Sequence, residues 1–325
     1  MDGRYSKVVQ KHGCRLAADV SFAATSEHLR EMLGVRLAPE TVRAVVESHS
    51  RAMAAFQPKD EVTAQAFRAA KGDVEFTVDA GKVNTREVGW KDLKIAVISK
   101  REAAAARAPA QWQEDRLPAA TMVMAFAMIA TARVFRRSWR GTLRRLGVTA
   151  FAAVHVLADG AAWIWKAVNR ALTGCLQTLD IYHAHERLSG CAQAIHGEGT
   201  AAAKAAFERG RHLLLHDGWH GVCAWVGELL PPPETVEATA EVERRRPATD
   251  RLIGYFAKHA NRLDYRERLA SGRAIGSGAV EGQAKTLGLR LKARGARWKL
   301  ANVRPMASLV CVRHSSQWDA YWSRN

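Results

Sequence analysis

The chain has no Cys-x-x-Cys pair, and its five cysteines (Cys14, Cys175, Cys191, Cys223 and Cys311) are scattered through 325 residues. An odd, dispersed set excludes a disulfide framework and a zinc knuckle and reads as reduced thiols. Cys175 and Cys191 have no partner arrangement for a nucleophile, which leaves thiol catalysis without support. A Gly-rich phosphate loop of either standard type is missing, so no nucleotide cofactor is expected. The longest apolar run, 119–132, has about fourteen residues and is too short to span a bilayer. It reads as a buried helix or strand. No signal-peptide pattern opens the chain, and no internal repeat is visible. Together these absences set the expectation of a cytoplasmic protein with no membrane contact and no small-molecule cofactor.

Acidic residues are also scarce. There are 32 Asp and Glu against 49 Lys and Arg, a formal charge of +17. Residues 251–325 carry 15 of the basic residues and only 4 acids. A chain this basic usually meets a polyanion, nucleic acid most often. With 48% hydrophobic residues it can bury a core, and its length permits one large domain or two ordinary ones.

The acids that remain stand in distinctive places. The stretch 151–188 holds a short apolar run, Val154, Val156 and Leu157, that ends on Asp159 and is followed at once by Gly160. A second run, Leu176 and Leu179, ends on Asp180, three residues before His183. A buried strand delivers a carboxylate to the rim of a sheet in this way. Upstream, Val74, Phe76 and Val78 alternate with Glu75, Thr77 and Asp79, and Leu93, Ile95 and Val97 alternate with polar partners. This predicts a hairpin with Asp79 near the end of its first strand and a loop over 80–89. Glu281 follows Gly276-Ser277-Gly278, with Ser277 a good N-cap for a basic helix. Leu287 and Leu291 would face inward. Lys285, Arg290, Lys292, Arg294, Arg297 and Lys299 would cover the rest and contact DNA phosphates. Singly, each acid has an ordinary explanation, Asp-Gly as a turn and Glu281 with Lys285 as a surface pair. His155 reads as a structural strand residue, and His183, three residues after Asp180, as a core or helix-start histidine or as one that bonds a carboxylate or a phosphate.

Elsewhere, Leu29, Met32 and Leu33, then Gly34 and Pro39, then Val42, Val45 and Val46, predict two short helices across a tight turn. This is a helix-turn-helix-like segment with Arg43 and Arg51 on or near the second helix. Residues 57–72 are polar and read as a boundary. Residues 133–145 hold six Arg and no acid, with Trp139 and Leu143 at i, i+4. They form a basic helix whose Arg136 and Arg137 are either solvated or set against phosphate. Residues 190–262 read as all-helical with a break at Pro231–Pro233, and Trp318 and Trp322 as a short docked helix.

The strings VDAGKVNT, GWKDLKIAVISKRE, VLADGAAWIW, LDIYHAHERL, AIGSGAVEGQAKTLGLRLKARGARW and QWDAYW resemble, in order, the bacterial insertion-sequence transposases of the ISKra type, relatives of the Mutator-like DDE transposases. The resemblance covers roughly residue 15 to the C-terminus. It implies an α/β fold with an RNase H-like catalytic core. The core would be split between 70–189 and 263–325 by an all-helical insertion over 190–262, and preceded by the helical DNA-binding segment 1–60. It implies Asp79, Asp159 and Glu281 as the catalytic, metal-holding acids, and Asp180 with His183 as the D-x-x-H motif. It further implies two Mg²⁺ or Mn²⁺ ions, cleavage and strand transfer at transposon ends, a homo-oligomer assembled on transposon-end and target DNA, and a nucleoid-associated location. Members of the family carry a cysteine-containing region before the helix-turn-helix, where this chain has only Cys14. That departure raises the alternative of a catalytically silent, transposase-derived DNA-binding protein.

Overall fold

The structure, a computed structural model, describes residues 5–113, 117–230 and 236–324. It is a mixed α/β fold around a five-stranded mixed sheet of strands β1 (Asp73–Thr85), β2 (Gly89–Arg101), β3 (Met122–Ile129), β4 (Val154–Ala158) and β5 (Leu176–Leu179). The spatial order is β3-β2-β1-β4-β5. The first three strands form an antiparallel meander, and β4 and β5 run parallel to β1.

Alternation along β1 divides the core into two layers. Val74, Phe76 and Val78 face one way and pack with Ala64 and Phe67 of α4 (Glu61–Ala69), Phe135, Trp139 and Leu143 of α5 (Ala132–Arg145), and Ile164, Trp165 and Val168 of α6 (Ala162–Ala171). Val83, with Leu93, Ile95 and Val97 of β2, faces the other way. This second layer packs against α11 (Gly278–Leu291), α12 (Leu300–Arg313) and α13 (Gln317–Arg324). It also takes in residues of the first three helices, α1 (Lys7–Ala17), α2 (Phe22–Leu33) and α3 (Pro39–Phe56). The first sixty residues therefore share their core with the sheet. In α2 only Leu29 of the expected stripe is buried, whereas Met32 is 71% exposed. Gly34 ends that helix with a left-handed φ of 65°, as the sequence led us to expect.

A third apolar cluster joins α7 (Ile181–His196), α8 (Ala201–Leu229), α9 (Val236–Phe256) and α10 (Tyr265–Ala270). Among the described residues, 190–262 is helical, and the helical run begins at Ile181, directly off β5. The break expected at Pro231–Pro233 lies outside the described residues. A break inside α8 falls at Gly218 (φ 54°, ψ −124°), where a Cβ would meet the Leu263 carbonyl oxygen at 2.6 Å.

Three local expectations are corrected. β1 runs on to Thr85, because Val83 and Thr85 keep the buried alternation past Gly81, so Asp79 lies in mid-strand. Residues 61–69 are helical, since Asp60 caps the Thr63 N–H at 3.1 Å and Ala64 and Phe67 supply a buried side. The basic segment 292–299 is a loop. Helix α11 ends at Leu291, Gly295 takes φ 77°, and the loop docks on the hairpin through Trp298 N–H to Asn84 O (3.3 Å) and Arg86 N–H to Trp298 O (2.8 Å). The docking of α13 through Trp318, 7% exposed, is as expected.

Candidate metal and nucleic-acid site

Register brings three of the acids together. Val78 pairs with Ala158, and Ala158 with Leu179, so the next residues, Asp79, Asp159 and Asp180, stand side by side across β1, β4 and β5. Residues level with one another on adjacent strands project to the same face. The Asp180 N–H to Ala158 O bond, 2.8 Å, continues the ladder one step past β5. Glu281, in the first turn of α11, comes down on this row from the helical layer.

Asp180 is the organiser. Its carboxylate is fully buried. Oδ1 accepts from the His183 backbone N–H (2.9 Å) and pairs with His183 Nδ1 (3.2 Å), so Asp180 caps α7 with its own side chain. Oδ2 accepts from the Ser277 N–H (2.5 Å) and hydroxyl (2.8 Å). The Ser277 hydroxyl also lies 3.0 Å from Glu281 Oε1. Ser277 was expected to cap α11 with its hydroxyl; it makes no such cap bond and ties Asp180 to Glu281 instead. Burial alone would raise the Asp180 pKa, but the bonds from His183 and Ser277 together hold it below the usual carboxylate range. The Asp180 partner drives His183 the other way, up to about 9.

The other acids keep open capacity. Asp79 Oδ1 accepts from the Ala80 N–H at 2.6 Å, and Asp159 Oδ1 from the Ala161 N–H at 2.9 Å. Among the described residues nothing donates to the second carboxylate oxygen of Asp79, Asp159 or Glu281. Burial, helped by the charges of Asp159 and Glu281 and opposed by the Ala80 N–H and His183, raises the Asp79 pKa. Asp79, Asp159 and Glu281 each keep a free oxygen, a donor of the kind a hard divalent cation takes, and the charges of the other two reach Asp79. Among the described residues, the group of three whose ligand atoms lie within 4.8 Å of one another is Asp180, His183 and Glu281, not the three acids the sequence singled out. Both Asp180 oxygens are already used by protein donors, so that grouping fits a supporting network better than a ligand set.

The expected DNA contacts separate into groups. Lys285, Lys292, Arg294, Arg297 and Lys299 are exposed, and among the described residues none has an ion pair. Arg290 is corrected. It is 4% exposed, its Nε donates to Ala17 O at 2.6 Å, its guanidinium lies over the Phe22 and Trp298 rings, and burial lowers its pKa to about 10. A guanidinium enclosed in this way ties α11 to α1 and is closed to phosphate. Arg43 pairs with Glu40, and Arg51 with Glu47 at 3.6 Å. Arg136 and Arg137 stay outward on α5, on the sheet face opposite Glu281, so they do not join the acidic site. On the same helix Arg140 and Arg145 brace loops through Ala171 O (2.7 Å) and Asp60 O (2.6 Å). His155 is structural, as read, with Nδ1 2.9 Å from Arg268 Nη1. We expect charge reversal at Lys292 or Arg294 to lower the salt dependence of DNA binding by about one counterion per contact. An Arg290→Glu variant should instead lose thermal stability, and calorimetry beside salt titrations checks both.

Sequence reasoning missed the residues that the helical block brings to the site. Tyr255 of α9 lies against Gly160, where a Cβ would meet its hydroxyl at 2.2 Å, so any side chain after Asp159 would displace the Tyr255 ring. No helix among the described residues is long and apolar enough to cross a membrane. No protein-family model matches the chain, and no curated protein is a significant match.

Proposed function

We propose that this chain is a DDE transposase of the ISKra type that cleaves and transfers DNA strands at insertion-sequence ends, using Asp79, Asp159 and Glu281 as its metal-holding acids. The observation that carries the reading is that Asp79 and Asp159 stand level on β1 and at the end of β4, that the charge of Glu281 at the start of α11 reaches Asp79, and that each of the three keeps an unbonded oxygen. An RNase H-like core is the fold this reading entails. The order β3-β2-β1-β4-β5, with β2 antiparallel and two acids on neighbouring parallel strands, supports it.

The chain's own residues divide the work. Asp79, Asp159 and Glu281 present oxygens to Mg²⁺ or Mn²⁺. A pair of such ions supplies activation of the attacking oxygen and stabilisation of the leaving one. Asp180 fixes the starts of α7 and α11, and with them His183 and Glu281. Lys285 and the loop cations Lys292, Arg294, Arg297 and Lys299 hold the DNA backbone, with Arg as the bidentate grip. The α5 arginines, Arg137 exposed and Arg136 partly so, would serve a separate stretch of DNA or a second copy of the chain in an oligomer assembled on transposon ends and target.

The test is nicking of supercoiled plasmid in Mn²⁺ or Mg²⁺, with and without cognate ends, by wild type beside Glu281→Gln and Asp159→Asn. Wild-type nicking that both substitutions abolish, with DNA affinity nearly unchanged, is the expected result. DNA binding without nicking, even on cognate ends, would identify a catalytically silent DNA-binding descendant.

A further inference from the structure

We propose that Arg187 and Arg251, with Tyr255 between them, form a phosphate-binding subsite that holds the DNA strand one nucleotide step away from the acids. The proposal rests on the DNA reading above and assigns to the helical block a direct part in substrate positioning.

The site is built by two facing helices. On α7, His183 and Arg187 stand at i, i+4 and therefore on one face, a turn of about 5.4 Å apart. That rise is comparable to the separation of successive phosphates along a strand, so a backbone passing His183 at the acids next meets Arg187. On α9, Arg251 and Tyr255 stand at i, i+4 in the same way and face α7. Between the helices lies a cavity of about 190 Å³, with Gly190, Cys191, Ala248 and Leu252 among its lining residues and Glu186 its one acid. Gly190 has open space where a Cβ would project, so a ligand can come close to the α7 backbone there.

Arg187 is engaged by the Tyr255 side chain and by no carboxylate. Both are exposed, and among the described residues neither has an ion pair. The Arg187 guanidinium is steadied over the Tyr255 ring, 4.7 Å from its centroid, which orients the planar fork without consuming its charge. Tyr255 in turn abuts Gly160, the residue after Asp159. The subsite is thus joined to the acidic site through α7 at one end and through the Tyr255–Gly160 contact at the other. A carboxylate-bearing ligand would carry its charge toward Asp159 and Glu281 with no compensation there. A strand phosphate continues into the cations of the reading above.

The test is fluorescence anisotropy of a labelled duplex carrying the cognate ends, titrated over a range of KCl without divalent metal. Wild type is compared with Arg187→Ala, Arg251→Ala, Arg187→Lys and Arg209→Ala. Arg209 serves as control because its guanidinium is already bound to Glu228 at 2.6 Å on α8. Arg187→Ala and Arg251→Ala are each expected to weaken binding roughly tenfold and to lower the salt slope by about 0.9. Arg187→Lys should restore the slope and Arg209→Ala should leave it unchanged. Arg251 is exposed and makes no ion pair or hydrogen bond among the described residues, and an unchanged melting temperature of Arg251→Ala separates the effect from loss of fold. Wild-type binding with unchanged slopes in both alanine variants overturns the subsite and leaves the DNA reading standing. A wild type that binds no DNA at low salt overturns the DNA reading and the subsite with it. Inorganic phosphate that stabilises wild type but not Arg251→Ala, with equal DNA slopes, also overturns it, by showing a site for the free anion.

Discussion

Replacing Asp180 with alanine is expected to remove about 2–3 kcal/mol of stability, the usual cost of leaving buried donors without their charged acceptor, since the carboxylate is buried but its His183 partner is partly exposed. The carboxylate is fully buried and accepts four bonds, two from His183 and two from Ser277. Its loss leaves the Ser277 N–H with no acceptor and uncaps α7. An asparagine variant should fall between. Its amide oxygen can still cap α7, but its NH₂ would face the Ser277 N–H, donor against donor. Because Asp180 anchors Ser277 at the start of α11, the alanine variant should also shift Glu281 and weaken any divalent-cation binding at the acids.

The same substitution has a pH signature. Asp180 raises the His183 pKa to about 9, above the ordinary value near 6.5. A raised folded-state pKa contributes stability that is fully present below about pH 6.5 and lost as pH rises through 9. The deficit of Asp180→Ala should therefore shrink in alkaline solution as wild type loses the charged pair. Urea unfolding at pH 6.5 and 9.5, with imidazole titration by NMR, measures both effects. A deficit that does not change with pH would show that His183 is not charged by Asp180.

Most of the site's strand framework was legible in the chain, because burial on one face forces period-two alternation and an apolar run must stop where a carboxylate begins. Asp79, Asp159 and Asp180 carry that signal. Glu281 was marked only by its place at the start of a basic helix, which a surface pair with Lys285 would explain equally well; only the resemblance gave it a role. Arg290 misled for a physical reason. Val280, Gln283, Leu287 and Leu291 trace the buried stripe of α11, and position 290 lies on it, but a guanidinium was read as solvent-facing by its charge rather than by its place. The segment after it looked helical because its cations follow on from α11, whereas Gly295 and the docking of Trp298 on the hairpin turn it into a loop. Tyr255 could not have been found, since it meets Gly160 across almost a hundred positions and its own surroundings read as an ordinary helix.

Acid should unfold this protein well above the range where carboxylates titrate. Burial first, and then neighbouring cations, lower His155, His185 and His259 each to about 4. His155 shows why protonation is incompatible with the fold. Its Nδ1 accepts from Arg268, so adding a proton would set a cation against a buried guanidinium, with Arg273 close by. In His259 the same conflict arises with Arg262 and Lys258. Between pH 6.5 and 4 the unfolded chain binds protons that the folded chain refuses, so stability is lost as pH falls through that window. His155 and His259, each 4% exposed, should each contribute a loss of about 3 kcal/mol when the window is crossed. Together that rivals the whole stability of an ordinary domain, about 5–15 kcal/mol. Asp180 acts in the same direction but only beneath the ordinary carboxylate range, because its folded pKa is lowered, so the upper part of the acid limb belongs to the histidines. The measurement is the urea midpoint from pH 7 to 4, for wild type and for His155→Gln, whose amide oxygen can still accept from Arg268. The substitution should flatten the limb by one proton. Equal midpoints at pH 7 and pH 4.5 in wild type would contradict the buried, neutral state assigned to these rings.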